Sequence, residues 1–283
     1  MSHEGTAQTQ AFGVEPGDAP YRLRQARYWE LARDVSRFAR SRHAKTGRRC
    51  DLLDVGVYDG VSRRYIEDHD GAEYVNYHGV DVFPHGRQFV YKHRDWTLHH
   101  CNLEGGMPDL ESDAYDVVIC EQVLEHLHEF DTALCDLARV LKPGGLIVLG
   151  VPTFPDGLHL VRRHLVPIAD QIRARWTGRP KFRGHVQAFS KRSFVKRIRR
   201  TTSLSRIRAR GFRVVSGGIL RPLEHCRWWW RFNRGLGRIV PSLCIEVQIT
   251  ATKRKATGTR RQAESVILPF PVPHAGKANG RAA

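Results

Sequence analysis

An α/β fold built on a doubly wound, mostly parallel sheet is predicted by three features of the chain. Five apolar runs bounded by turn signals occur at 51–55, 77–82, 98–101, 116–120 and 146–151. Stretches of helical periodicity separate them, the alternation expected of βα units. A loop with two glycines, Asp54-Val55-Gly56-Val57-Tyr58-Asp59-Gly60, follows the first run, at the carboxyl end of a strand, where open α/β sheets bind their ligands.

The elements follow in order. Residues 1–20 are expected to be disordered, and 21–45 to form a basic helix whose Tyr28, Leu31, Val35 and Phe38 recur at helical spacing and pack on the sheet. The sheet domain is expected over 46–256. Within it, Leu134, Leu137, Ala138 and Leu141 share one face of a helix from Phe130, which Lys142-Pro143-Gly144-Gly145 stops and turns into the next strand. Ser190 caps a helix running to Arg200, Phe212 to Val215 reads as a strand, and Leu243 to Thr252 alternates Ile245, Val247, Ile249 and Ala251 as a strand should. Two segments, 153–188 and 219–241, interrupt this order as insertions, and 257–283 reads as a mobile tail.

Charge is divided unequally along the 283 residues. Residues 151–283 carry 29 Lys+Arg against 5 Asp+Glu, a balance of +24, whereas 1–150 carry −7. The second half therefore either faces something anionic or decorates a solvated surface. No window approaches the roughly 20 apolar residues of a membrane span, and the first ten residues lack the charged-then-apolar order of a secretory signal. The expectation is a cytoplasmic protein, with peripheral contact to a membrane left open. The six cysteines form no C-x-x-C pair and several lie in apolar runs, which points to buried thiols and to no metal site.

The spacing of the loop narrows its ligand. Four residues separate Gly60 from Gly56 in numbering, so G-x-G-x-x-G is not met, and no Walker lysine follows. Asp81 ends the second strand 21 residues past Gly60, where a carboxylate accepts hydrogen bonds from both hydroxyls of a ribose. Asn102 follows the third strand, placed to meet an adenine edge, and Glu121-Gln122 follow the fourth.

Here the sequence resembles the class I S-adenosylmethionine-dependent methyltransferases, in particular the small-molecule group. The stretches LLDVGVYDG, GVDVF, AYDVVICEQVLEHL, LARVLKPGGLIVLGVP, GHVQAFSKRSF and ARGFRVVSG appear in that family's order over roughly residues 50–217. The resemblance implies a seven-stranded sheet with an antiparallel last strand and S-adenosylmethionine as cofactor. It further implies that Asp54, Gly56, Tyr58 and Gly60 line the methionine end, that Asp81 and Val82 hold the ribose, that Asn102 and Leu103 border adenine, and that Glu121 and Gln122 close the edge. Two departures stand out: Tyr58 replaces the family's middle glycine, and Asn102 its common acidic residue.

Methyl transfer is dominated by alignment of the acceptor with the departing sulfur, and a hydroxyl acceptor also needs a base. His126 and His185 are the candidates, each also suited to packing or hydrogen bonding. The acceptor is expected to be a small molecule or a lipid- or glycan-linked one, methylated at oxygen. A nucleic-acid methyltransferase and a non-catalytic cofactor-binding module are the alternatives, the first weakened because ICEQVLEHL has no N/D-P-P-Y/F motif. Segment 158–176 sets Leu160, His164, Ile168 and Ile172 along one side with arginines on the other. Arg227-Trp228-Trp229-Trp230-Arg231 suits an anionic membrane surface, or else covers the core beside the last strand.

Overall fold

The structure is a computed structural model that describes residues 19–57, 60–82, 96–158, 186–214 and 226–255 together with 168, 220 and 223; the side chains of 19–25, 227 and 230 are outside that description. Helix α1 (Ala19–Thr46) leads into β1 (Cys50–Val55), α2 (Val61–Glu67), β2 (Val75–Asp81), β3 (Thr97–His100) and β4 (Tyr115–Glu121). Then come α3 (Phe130–Val140), β5 (Leu141–Pro152), α4 (Lys191–Thr201), β6 (Leu204–Gly211), α5 (Arg227–Ile239) and β7 (Glu246–Lys253). The sheet order is β3-β2-β1-β4-β5-β7-β6, with parallel pairing from β3 through β5 and antiparallel pairing of β7 with both its neighbours.

Side chains one residue apart on the central strands enter opposite cores, because successive Cβ atoms of a strand point to opposite faces. Leu52, Val117, Ile119, Leu146 and Val148 meet Leu31, Val35 and Ala39 of α1 and Tyr65 and Ile66 of α2. Leu53, Val118, Cys120, Ile147 and Leu149 meet Leu134 and Leu137 of α3 and Phe194 and Ile198 of α4. Both faces of the sheet are thus covered, which is why these strands read as near-continuous apolar runs. Ser190 accepts from the backbone N–H of Ser193 at 3.1 Å while the Ser193 hydroxyl receives the Ser190 N–H at 2.9 Å, a reciprocal cap for α4.

Two sequence expectations are corrected. The sixth strand is Leu204–Gly211, not Phe212–Val215: Phe212 lies just past its end, and Val215 is outside the described residues. Arg206, Arg208 and Arg210 disguise this strand, because it is the sheet's edge and one side of it meets water. Nor do Lys142 to Gly145 separate helix from strand. Leu141 already pairs with Tyr115, and the ladder resumes at Val117 and Leu146 after an irregularity. Lys142 is tied there, its Nζ 2.7 Å from Asp116 and 3.2 Å from Asp51.

The basic helix expected at 21–45 runs from Ala19 to Thr46. The insertion at 219–241 contains α5, which packs on β6 and α1. The pattern proposed for 158–176 lies outside the described residues apart from Leu158 and Ile168, both exposed. No helix among the described residues is long and apolar enough to cross a membrane.

Candidate active site

The parallel strands β1, β2 and β4 end side by side, and their register brings the predicted residues to one edge. Asp54 pairs with Gly79 and Ile119, Val55 with Val80 and Cys120, and Glu121 with Gly150. The chain then turns sharply. The N–H of Gly56 donates to the Val80 carbonyl at 2.8 Å, and that of Gly60 to the Val57 carbonyl at 2.7 Å. Gly56 has φ +75°, and a Cβ there would sit 2.2 Å from a methyl of Val123, so only glycine fits. Gly60, at φ 74°, starts α2. Tyr58 between them lies outside the described residues.

Across the edge, Asp81 is half-buried and its carbonyl accepts from the Cys101 N–H at 3.1 Å, which positions the turn carrying Asn102. Val82 is exposed. Asn102 is exposed too; its side-chain oxygen caps the Leu103–Gly105 turn by accepting from the Glu104 N–H at 3.1 Å, and Leu103 is buried beside it. Gln122 has φ 58°, a left-handed conformation that non-glycine residues seldom adopt, and its N–H is held by the Gly150 carbonyl at 2.8 Å.

Glu121 is buried beside a group that the sequence did not single out. Arg27 of α1 reaches this edge, 3.6 Å from Glu121 and 3.2 Å from Glu246 of β7. Gln248 donates to Glu121 at 2.7 Å and to the Arg27 carbonyl at 3.2 Å, fastening α1 to the strand ends. Arg213 donates to Glu246 at 2.5 Å. Gly150 makes this possible, since a Cβ there would lie 2.1 Å from the Glu121 carboxylate. Burial pushes the Glu121 carboxyl up to about 7, although Arg27 and the Gln248 hydrogen bond pull the other way.

Glu125, in the short Leu124–His126 turn, was also missed. It is 1% exposed, and neither carboxyl oxygen has a hydrogen-bond partner in another described residue. Burial pushes it up to about 7, opposed by its own backbone N–H and by the charge of Arg27. The carbonyl of Glu125 accepts from the N–H groups of both Val186 and Gln187, so the segment after His185 is tied to this turn. His126 is half exposed with Nε2 3.9 Å from Glu125; His185 itself lies outside the described residues. No signal in the local sequence marks Arg27 or Glu246, which are far apart in the chain. Glu125 was masked by the apolar run that surrounds it.

Four carboxyl groups, Asp54, Glu121, Glu125 and Glu246, are thus buried at one edge against two guanidinium groups, Arg27 and Arg213. That excess suits a cationic ligand. S-adenosylmethionine, with its sulfonium, ribose and adenine, fits this donor set: an acidic edge, a half-buried carboxylate at the end of β2, and a buried amide nitrogen of Gln122 without a described partner.

The comparisons agree. Residues 22–201 match the family model described as a methyltransferase domain. A demethylmenaquinone methyltransferase of Tropheryma whipplei is 33% identical over 105 residues, covering 35% of this chain and 40% of that protein. A highly reducing polyketide synthase of Phaeosphaeria nodorum is 29% identical over 114 residues, 35% of this chain and 4% of the synthase. The chain therefore spans well under half the length of these relatives. Among solved structures, a chain from the complex of the Haloferax volcanii Trm112 methyltransferase activator with its partner superposes with a TM-score of 0.50 at 16% identity, covering 90% of this chain and 100% of that one, which shows a shared fold. With the matching model spanning more than half of its residues, the chain belongs to the methyltransferase-domain family.

Proposed function

We propose that the chain methylates an oxygen of a small, or lipid- or glycan-linked, acceptor. The observation that supports this best is Glu125: a buried carboxyl without a hydrogen-bond partner in another described residue, its pKa raised to about 7 at the strand edge beside His126. A carboxyl of that kind takes up the proton that a hydroxyl must lose as its oxygen is methylated.

When bound, S-adenosylmethionine supplies a sulfonium-activated methyl group. Gly56 and Gly60 give the loop the close backbone approach that the methionine end needs. Asp81, with Val82 beside it, receives the ribose hydroxyls. Asn102 meets adenine above Leu103. Glu121 and Gln122 close the floor, with Arg27 keeping the Glu121 carboxyl oriented. His126 stands at the acceptor side, where it relays the proton from Glu125 toward solvent.

The test has two stages. Calorimetric titration with S-adenosylhomocysteine should give saturable binding that Asp81→Ala weakens about a hundredfold, the scale of two hydrogen bonds to a charged group. Incubation with labelled cofactor and cell extract should then place the label in the lipid, glycan or small-molecule fraction. Label confined to RNA would replace this reading with the nucleic-acid alternative, and binding without any labelled product would replace it with a non-catalytic module.

A further inference from the structure

We propose that α5, the edge strand β6 and the outer side of α1 form one face that docks on an anionic lipid surface. This deepens the reading of a lipid-linked acceptor, but it is tested by vesicle binding without acceptor or cofactor, so either can fail alone.

The apolar part of the face is α5. Trp228, Phe232 and Ile239 are 58%, 48% and 79% exposed. At about 100° per residue they fall within about 40° of one another, opposite Gly237. Gly237 is the side that touches the protein: a Cβ there would lie 2.0 Å from the Gly211 carbonyl at the end of β6. The stripe therefore points away from the sheet. Leu243, just beyond the helix, is 47% exposed and continues the patch. Residues 226–245 contain no acidic side chain, and Arg231 is exposed at the flank of the stripe.

The cationic part continues from it without a break. Arg234 and Arg238 of α5 bind Glu30 of α1, and Arg210 of β6 approaches the same carboxylate at 3.6 Å. Beyond Arg210 run two grooves between α1 and the sheet edge, of about 350 and 620 Å³, which share Phe38, Ser41, Arg206 and Thr252. Arg37, Lys45, Arg206, Arg208, Arg254 and Lys255 line them; all six are exposed, and none forms an ion pair among the described residues.

Three occupants compete for such a face. Nucleic acid suits the arginines and aromatic rings, but the exposed aliphatic side chains Ile239 and Leu243 find no stacking partner there. A second copy adding a strand is disfavoured, because β6 is irregular between Ser205 and Arg208, with Arg206 at φ 51°, and its outward arginines blunt the edge. An anionic bilayer takes both parts, with aromatic and aliphatic groups entering at headgroup depth and cations resting on lipid phosphates. Since Gly211 and Glu246 end at the cofactor edge, docking here brings the active site to the lipid.

The experiment is flotation of the full chain with phosphatidylcholine vesicles, with and without phosphatidylglycerol. Binding should require phosphatidylglycerol and weaken with salt. Arg206→Glu with Arg208→Glu should lower partitioning about thirtyfold or more, and Trp228→Ala with Phe232→Ala about tenfold. Lys196→Glu with Arg199→Glu, the same charge change on α4, should change it less than about threefold. All variants must keep the wild-type melting transition; a pair that unfolds is replaced by Arg37→Glu or Ile239→Ser, held to the same expectation. Equal binding to both vesicle types, or an equal loss in the α4 variant, overturns the proposal. So does tight, salt-sensitive binding of single-stranded oligouridylate that the tryptophan variant leaves intact, or a dimer that this variant dissociates.

Discussion

Two glutamates, each almost fully buried, have opposite fates in this molecule. Glu30 of α1, 2% exposed, is surrounded by Arg33, Arg210, Arg234 and Arg238. Glu125, 1% exposed, has a hydrogen-bond partner in no other described residue. Burial alone raises both carboxyls, but at Glu30 the hydrogen bonds from Arg234 and Arg238 and the charge of Arg33 reverse the shift and bring it below its ordinary value. At Glu125 nothing comparable intervenes, and it stands at about 7. The same residue type, equally shielded from solvent, is held ionised in one region and pushed toward its neutral form in the other; what differs is the number of guanidinium groups within reach.

The largest effect should come from breaking the Glu30 cluster. Glu30→Gln takes the anion from Arg234 and Arg238 of α5 while Asp34 still faces Arg33 and Arg210, which should cost on the order of 3 kcal/mol and lower the melting temperature by about 10 °C. Because the Glu30 pKa is lowered, its stabilisation is present above the unfolded carboxyl value and is lost as pH falls through the folded one. The gap between wild type and variant, followed by chemical denaturation, should therefore close on acidification. A gap unchanged from neutral to strongly acid pH would mean that Glu30 fills space and its charge is idle.

Glu125→Gln should have the opposite sign. With a folded pKa raised to about 7, the wild-type carboxyl loses stability as pH rises from the ordinary carboxyl range through about 7. The amide has no such loss, so the variant should match wild type under acid conditions and be more stable by up to about 3 kcal/mol above neutral pH. Methyl transfer should fall in the same variant while cofactor affinity stays within about threefold, as expected for a proton acceptor that costs stability. If Glu125→Gln is destabilising at alkaline pH, the carboxylate has a partner and the contrast with Glu30 collapses.

Between these regions lies Gln248, whose amide bridges Glu121 and the carbonyl of Arg27. Gln248→Leu removes a hydrogen bond to a charged, buried group and should cost about 2 kcal/mol. It should also raise the Glu121 carboxyl further, because that bond is one of the two influences holding it down. A carbon-detected titration of the Glu121 carboxyl would show the shift; no upward movement would place the control of Glu121 with Arg27 alone.

Which of these features the sequence could reveal depended on whether their cause was local. The packing face of α1, Leu31, Val35 and the half-buried Phe38, was legible because helical spacing is a property of adjacent turns. Gly56 and Gly60 were legible because a tight strand-to-helix turn with positive φ favours glycine. Asp81 and Glu121 were legible as strand ends, and Asp54 as the acidic residue just before the last of β1. Strand β6 was not, because an edge strand with water on one side can alternate Ile207 and Ala209 with arginines and look like a loop, while the apolar run after it drew the assignment. Arg27, Glu246 and Gln248 were invisible for another reason. They meet only after α1 is laid across the sheet and β7 is inserted between β5 and β6, and no periodicity encodes a meeting between residues 27 and 248.

The smallest expected effect tests the comparison most finely. Arg33 binds Glu30 one helical turn away, as Arg234 and Arg238 do from α5, and a count of contacts would give all three equal weight. Their settings are unequal. The Arg33 side chain is 37% exposed, and its partner is already on the same helix, so folding need not bring the two together. Arg234, 25% exposed, joins α5 to α1 across the fold. Arg33→Ala should therefore cost no more than about 0.5 kcal/mol, whereas Arg234→Ala should cost several times as much and also loosen α5. Denaturant melts of the two variants give the first number, and hydrogen exchange of the α5 amides gives the second. Equal costs would show that Glu30 only needs charge around it; unequal costs would show that its task is to hold α5, and with it the exposed tryptophan face, against the first helix.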